Sequence, residues 1–168
     1  MARKQEKAVF VNKQLGETPL EALARYRATR PDLVATTPMT YAGRLDPMAS
    51  GTLLVLGGDE CKNKDKYLAL DKEYEIEVLF GMTTDTYDAL GLATLGDQGS
   101  AQIDVAKYVG KIAQEYPAYS SKTVDGIQLH ELARAGNLPE EMPVKEVEIY
   151  SIEKIGERKI GAADLQKE

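Results

Sequence analysis

The sequence predicts a mixed α+β fold. Two segments alternate apolar and polar residues with a period of two, EYEIEVLF at Glu73–Phe80 and VKEVEIYSIEKI at Val144–Ile155. A third, PLEALARYRATR at Pro19–Arg30, spaces Leu20, Leu23 and Ala24 as one face of a helix does. Strands and helices intermixed in this way build a sheet with helices against it.

Each element has its own local signal. Ala8–Asn12 (AVFVN) is a short apolar strand. Thr18-Pro19 supplies a cap residue followed by proline at the first helical position, and Arg30-Pro31 ends that helix. The following stretch, PDLVATTPMTYAGRLDP, is rich in Pro, Thr and Gly and reads as loop. Thr52–Leu56 (TLLVL) is a buried strand closed by Gly57-Gly58, and Asp59–Leu70 is helical. Glu73–Phe80 is a half-buried strand with Tyr74, Ile76, Val78 and Phe80 on its apolar face. GMTTDTYDALG is a polar loop or hairpin connection, and Ser100–Gly110 a helix with Ser100 as its cap. YPAYSSKTVDGIQLHELARAG gives a strand, a turn at Asp125-Gly126 and a helix over Gln128–Ala135. Pro143–Ile155 is a further strand region.

Composition sets the outer limits. The chain has 168 residues, 43% of them hydrophobic and 29% charged, within the range of an ordinary globular domain. No apolar run approaches the ~20 residues of a membrane span, and the apolar part of MARKQEKAVFVN is too short for a signal peptide, so a cytoplasmic protein is expected. The lone Cys61 leaves no internal disulfide and no cysteine metal cage. The net charge of −6 argues mildly against nucleic acid, yet residues 1–30 hold seven Lys/Arg against three Asp/Glu. That basic segment permits a phosphate contact without requiring one, and on charge alone it reads first as a solvated tail.

Several chemistries find no support. The sole histidine, His130, sits one turn into a helix, and Ser50 lies in MASGT without the first glycine of a nucleophile elbow. Asp85 and Asp88 in DTYDALG are three apart, not at the alternate positions of a calcium loop, and suit Asx-type turn bonding. There is no phosphate loop and no dinucleotide fingerprint. Asp46 remains. As a turn residue it belongs to an Asp-Pro turn leading into TLLVL. As a functional group it is a carboxylate on a loop backed by a strand, able to act as nucleophile without a base to activate it. If Arg44 faces the same cavity, its guanidinium holds Asp46 charged and oriented.

Four ordered blocks carry a resemblance. The first is Gly43-Arg44-Leu45-Asp46-Pro47-Met48-Ala49-Ser50-Gly51, and the second is Asp71-Lys72 followed by Tyr74. The third runs from Gly81 through Asp85 and Asp88 to Gly91. The fourth holds Pro117, Tyr119, Ser120, Gly126, Leu129, Ala133, Arg134 and Gly136, with Lys122 one place from the pattern's lysine. Over most of residues 9–150 the chain resembles the TruB-type tRNA pseudouridine synthases, whose opening Lys-x-x-Gly-x-[Ser/Thr] turn is matched by VNKQLGETPLEAL.

The resemblance implies a pseudouridine-synthase-like α+β catalytic domain over residues 1–168, with a largely antiparallel sheet flanked by helices. It implies isomerisation of uridine to pseudouridine in the tRNA T loop by a monomer that uses no metal or cofactor. Asp46 would attack the flipped nucleotide, and Tyr74 would stack on the target base. Asp88 would contact RNA or hold its loop, and Lys13 would meet phosphate. The chain departs from the pattern in three ways. Tyr41 stands where the family often has histidine, and could stack on RNA. Arg44 replaces a small residue or threonine, and Arg-Leu-Asp is the habit of related synthases acting on other RNAs. No Gly-Thr-Tyr-[Ile/Val]-Arg block occurs between Ser151 and Glu168, so a domain incomplete at its C-terminus is expected. The alternative readings are an RNA-binding fragment, an inactive homologue, or a synthase with another RNA target.

Overall fold

The computed structural model describes residues 7–34, 37–96 and 103–161. The chain divides into two compact units, Met1–Glu77 and Val78–Glu168. Both combine helices with antiparallel ladders, so the α+β class expected from the sequence holds. No helix among the described residues is long and apolar enough to cross a membrane.

In the first unit the elements are β1 (Ala8–Lys13), α1 (Pro19–Ala28), the single turn α2 (Pro31–Val34), β2 (Met39–Ala42), β3 (Gly51–Gly57) and α3 (Lys64–Leu68). They form an antiparallel sheet of order β1-β3-β2, with Val11 opposite Leu53 and Tyr41 opposite Val55. The pleat of β1 points Val9, Val11 and Lys13 to one side and leaves Phe10 exposed on the other. Val11, Leu23 and Val55 form the core, with Val9, Tyr26, Met39 and Tyr41 packed against it.

Helix α1 starts where its cap chemistry dictates. The Thr18 hydroxyl accepts from the Glu21 amide at 3.2 Å, and the Glu21 carboxylate accepts from the Thr18 amide at 2.7 Å. This reciprocal box, with Pro19 at the first position, satisfies amides that would otherwise lack partners. Leu23 and Ala22 are the residues it buries.

The second unit has β4 (Met82–Thr84) paired with β5 (Ala93–Leu95), and β6 (Gly110–Glu115) paired with β9 (Val144–Ile149). Between the last two lie β7 (Thr123–Val124), β8 (Ile127–Gln128) and α4 (Leu129–Arg134), joined as the turn at Asp125-Gly126 requires. Each ladder has only two strands, and such ladders bury little by themselves. Leu129 is accordingly the one fully buried apolar side chain of this unit among the described residues.

Three expectations need correction. Glu73–Phe80 carries no strand ladder, and Tyr74, Ile76, Val78 and Phe80 are 66%, 71%, 53% and 49% exposed. Alternation encodes which side chains a strand can bury, but a strand also needs a neighbour to pair with, and none is present among the described residues. Within the expected helix over Ser100–Gly110, the described residues 103–110 hold a single 3₁₀ turn, Val105–Tyr108, capped by Asp104, and Gly110 already belongs to β6. Its expected cap, Ser100, lies outside the described residues. The stretch read as loop after Arg30 contains α2 and β2. β2 is only four residues long, too short for its alternation to stand out against the surrounding Pro, Thr and Gly.

Candidate functional site

Asp46 sits on the segment that joins β2 to β3. Gly43 leaves β2 with φ +91°, a conformation that favours glycine. Asp46 then opens a turn whose Ala49 amide donates to the Asp46 carbonyl at 2.9 Å, with Pro47 in the second position that its fixed φ suits. The Asp-Pro turn is therefore present, and both Arg44 and Asp46 are exposed on it. Arg44 has a polar interaction of its own, and the ion pairs among the described residues do not include the Asp46 carboxylate.

Lys13 supports this loop from below. The residue is fully buried. Its ammonium donates to the carbonyls of Ala49 at 2.5 Å, Gln14 at 3.1 Å and Pro47 at 3.4 Å. A buried ammonium is tolerated only when its protons are taken up, and carbonyls on either side of Met48 do so here. Lys13 was expected to meet phosphate; in this structure its ammonium donates to these loop carbonyls. The strand extends one residue further than its apolar letters suggest, so Lys13 points inward in phase with Val9 and Val11.

The turn after β1 completes the brace. The Gly16 amide donates to the Pro47 carbonyl at 2.8 Å, and Gly16 has φ +78°. The Gln14 amide donates to the Glu17 carboxylate at 2.9 Å. From α1, the Arg25 guanidinium grips both Glu17 oxygens at 2.8 and 2.9 Å and donates to the Asn12 carbonyl at 2.7 Å. The Arg25 fork, aided by the Gln14 amide, pulls the Glu17 carboxyl down to about 2. The same pairing raises the Arg25 guanidinium. Sequence reasoning missed Glu17 and Arg25 because Glu17 precedes the helix, so the pair has no helical spacing. Gly16 was visible only as a letter of the opening motif.

The other expected site residues divide between the units. Tyr41, on β2, packs against the core and has the Lys64 ammonium 5.4 Å from its ring centroid. Tyr74 belongs to the same unit as Asp46, with its ring open to solvent. Asp88 belongs to the second unit and builds the loop between β4 and β5. Its carboxylate accepts from the Thr86 hydroxyl at 2.7 Å and the Leu90 amide at 2.9 Å, and its carbonyl accepts from the Thr84 hydroxyl at 2.7 Å. Asp85 accepts from the Leu92 amide at 2.7 Å. These are the Asx-type bonds that the spacing of the two aspartates suggested. Gly91 closes the loop where any Cβ would overlap Thr86, Asp85 and Thr84. His130 is structural: its amide donates to the Ser120 carbonyl at 3.2 Å, and its Nδ1 lies 3.2 Å from the same oxygen.

Among the described residues no three His, Cys, Asp or Glu side chains gather as metal ligands. What the first unit offers is an exposed carboxylate on a loop fixed by buried hydrogen bonds, with an exposed arginine two residues before it. Such an arrangement suits a nucleophile or a charged contact for a substrate large enough to be met at the surface.

Comparison with known proteins adds to this geometry. The family described as TruB family pseudouridylate synthase (N terminal domain) matches residues 32–164. The tRNA pseudouridine synthase B of Aquifex aeolicus (strain VF5) is 32% identical over 151 residues, covering 87% of this chain and 51% of that protein. The protein of the same name from Borrelia garinii subsp. bavariensis is 33% identical, covering 88% of this chain and 52% of its own length. That from Cupriavidus metallidurans is 35% identical, covering 86% and 46%. The chain thus spans about half the length of the curated relatives it matches.

Proposed function

The chain belongs to the TruB family of pseudouridylate synthases, and on that premise we propose that it isomerises a uridine of the tRNA T loop to pseudouridine with Asp46 as its catalytic residue. The observation that carries this reading is the brace beneath Asp46. The family's motif Gly43–Gly51 forms an exposed turn whose backbone is held by Lys13 and Gly16 of the family's opening motif. Two stretches far apart in sequence thus meet at the turn that bears Asp46.

The reaction needs no external reactant. The bond from the sugar carbon to the uracil nitrogen breaks, and the base turns over. A bond from the same sugar carbon to a ring carbon then forms, that carbon loses its proton, and the freed nitrogen gains one. The uridine must leave its stack to reach the carboxylate. Asp46 supplies the negatively charged oxygen, already exposed and held on a fixed backbone. Tyr74, two-thirds exposed, supplies a ring on which the extruded base stacks. Asp88 acts indirectly by tying the loop between β4 and β5.

The test is to incubate the chain with an unmodified tRNA transcript and map pseudouridine by reverse-transcription stops after carbodiimide labelling. One modified position in the T loop is expected. Product elsewhere would move the target to another RNA segment, and tRNA binding without product would leave only an RNA-binding role.

A further inference from the structure

Lys64, at the start of α3, is half-buried, and its ammonium is stationed over the face of Tyr41. A ring face attracts a cation and limits where it can swing. Its neighbour Lys62 forms an exposed ion pair with Asp59 at 2.8 Å. No carboxylate lies within ion-pair distance of Lys64 among the described residues. Lys64 is thus held over an aromatic face without a carboxylate partner among the described residues, as Lys122 is over Tyr116 at 5.3 Å in the second unit, and of the two it is Lys64 that shares a unit with Asp46. α3 packs on β2, and β2 ends one residue after Tyr41, where the loop bearing Arg44 and Asp46 begins. An anion meeting Lys64 arrives beside the strand that feeds that loop.

We propose that Lys64, positioned by the Tyr41 ring, is a phosphate-binding residue that holds the RNA backbone next to the Asp46 loop. This rests on the reading of the chain as an RNA-modifying enzyme, and it gives Tyr41 a defined role, since the ring orients the lysine. Phosphate is the anion because an RNA substrate presents it at every nucleotide, and a lysine held as a point charge needs no forked geometry to bind it.

The experiment is tRNA binding by the whole chain as a function of salt, comparing wild type with Lys64→Gln, Lys64→Arg, Tyr41→Phe and Tyr41→Leu. Each phosphate contact adds about 0.7–0.9 to the slope of log K against log salt. Lys64→Gln is expected to lower the slope by that amount and to weaken binding about 3- to 10-fold near 0.1 M salt. Lys64→Arg and Tyr41→Phe keep charge and ring and should match wild type. Adding Tyr41→Leu to Lys64→Gln should weaken binding less than it does in the wild-type background, because the ring acts through the lysine. Lys64 lies outside the core, so its variants fold even where Tyr41→Leu does not. A wild-type slope in Lys64→Gln overturns this proposal and leaves the enzyme reading intact. Absence of any tRNA binding by the wild-type chain overturns both.

Discussion

Replacing Lys13 by methionine removes the ammonium under the Asp46 loop while keeping most of the volume of its stem. Its hydrogen bonds reach the carbonyls of Ala49 at 2.5 Å, Gln14 at 3.1 Å and Pro47 at 3.4 Å. Bonds from a charged donor contribute about 1.5–3 kcal/mol each. Part of that returns, because the variant no longer buries a charge. The net loss is about 2–3 kcal/mol, which lowers the unfolding midpoint by roughly 4–12 °C for a chain of this size. Circular dichroism melts of wild type and Lys13→Met measure it. The salt slope of tRNA binding measured on the same samples should not change, since a fully buried ammonium meets no phosphate. An unchanged midpoint together with a slope reduced by about one contact would refute the brace and put Lys13 at the RNA surface.

Other outcomes follow from the same contacts. Gly91→Ala should break the loop between β4 and β5, because its Cβ overlaps Thr86, Asp85 and Thr84. Faster amide exchange at Leu90 and Leu92 would report it. Glu17 has a folded value of about 2, below its ordinary 4.5. Its contribution to stability is therefore complete above about pH 4.5 and lost as pH falls through about 2. Unfolding followed between those limits should show a shallower pH dependence in Glu17→Gln than in wild type. Tyr74→Ala should reduce pseudouridine formation at saturating tRNA while Tyr74→Phe retains it, because stacking needs the ring and not the hydroxyl. Wild-type rates in both variants would remove Tyr74 from the site.

Much of the first unit was legible in the letters, for identifiable reasons. Thr18, Pro19 and Glu21 announce α1 because capping is local chemistry, and TLLVL announces β3 because a central strand is apolar nearly throughout. The Asp46 turn was readable from Asp-Pro. Lys13 was not, because its charge overrode the period-two phase that it shares with Val9 and Val11. The Arg25–Glu17 grip joins residues either side of a helix start, a relation no periodicity encodes. Glu73–Phe80 failed in the opposite sense. Its alternation is strong, but a strand requires a partner, and pairing is a property of the assembled sheet. The resemblance could number Asp46, Tyr74 and Asp88, and only coordinates could show that Asp88 Oδ1 ties its own loop.

Asp46 carries the central claim, and one comparison tests it directly: pseudouridine formed on an unmodified tRNA transcript by wild type and by Asp46→Asn under single-turnover conditions. Asp46 is exposed, so the substitution should leave the melting curve unchanged. The predicted result is product with wild type and a rate at least about a thousandfold lower with the variant. Equal product from both proteins would contradict the assignment of Asp46 as the catalytic residue.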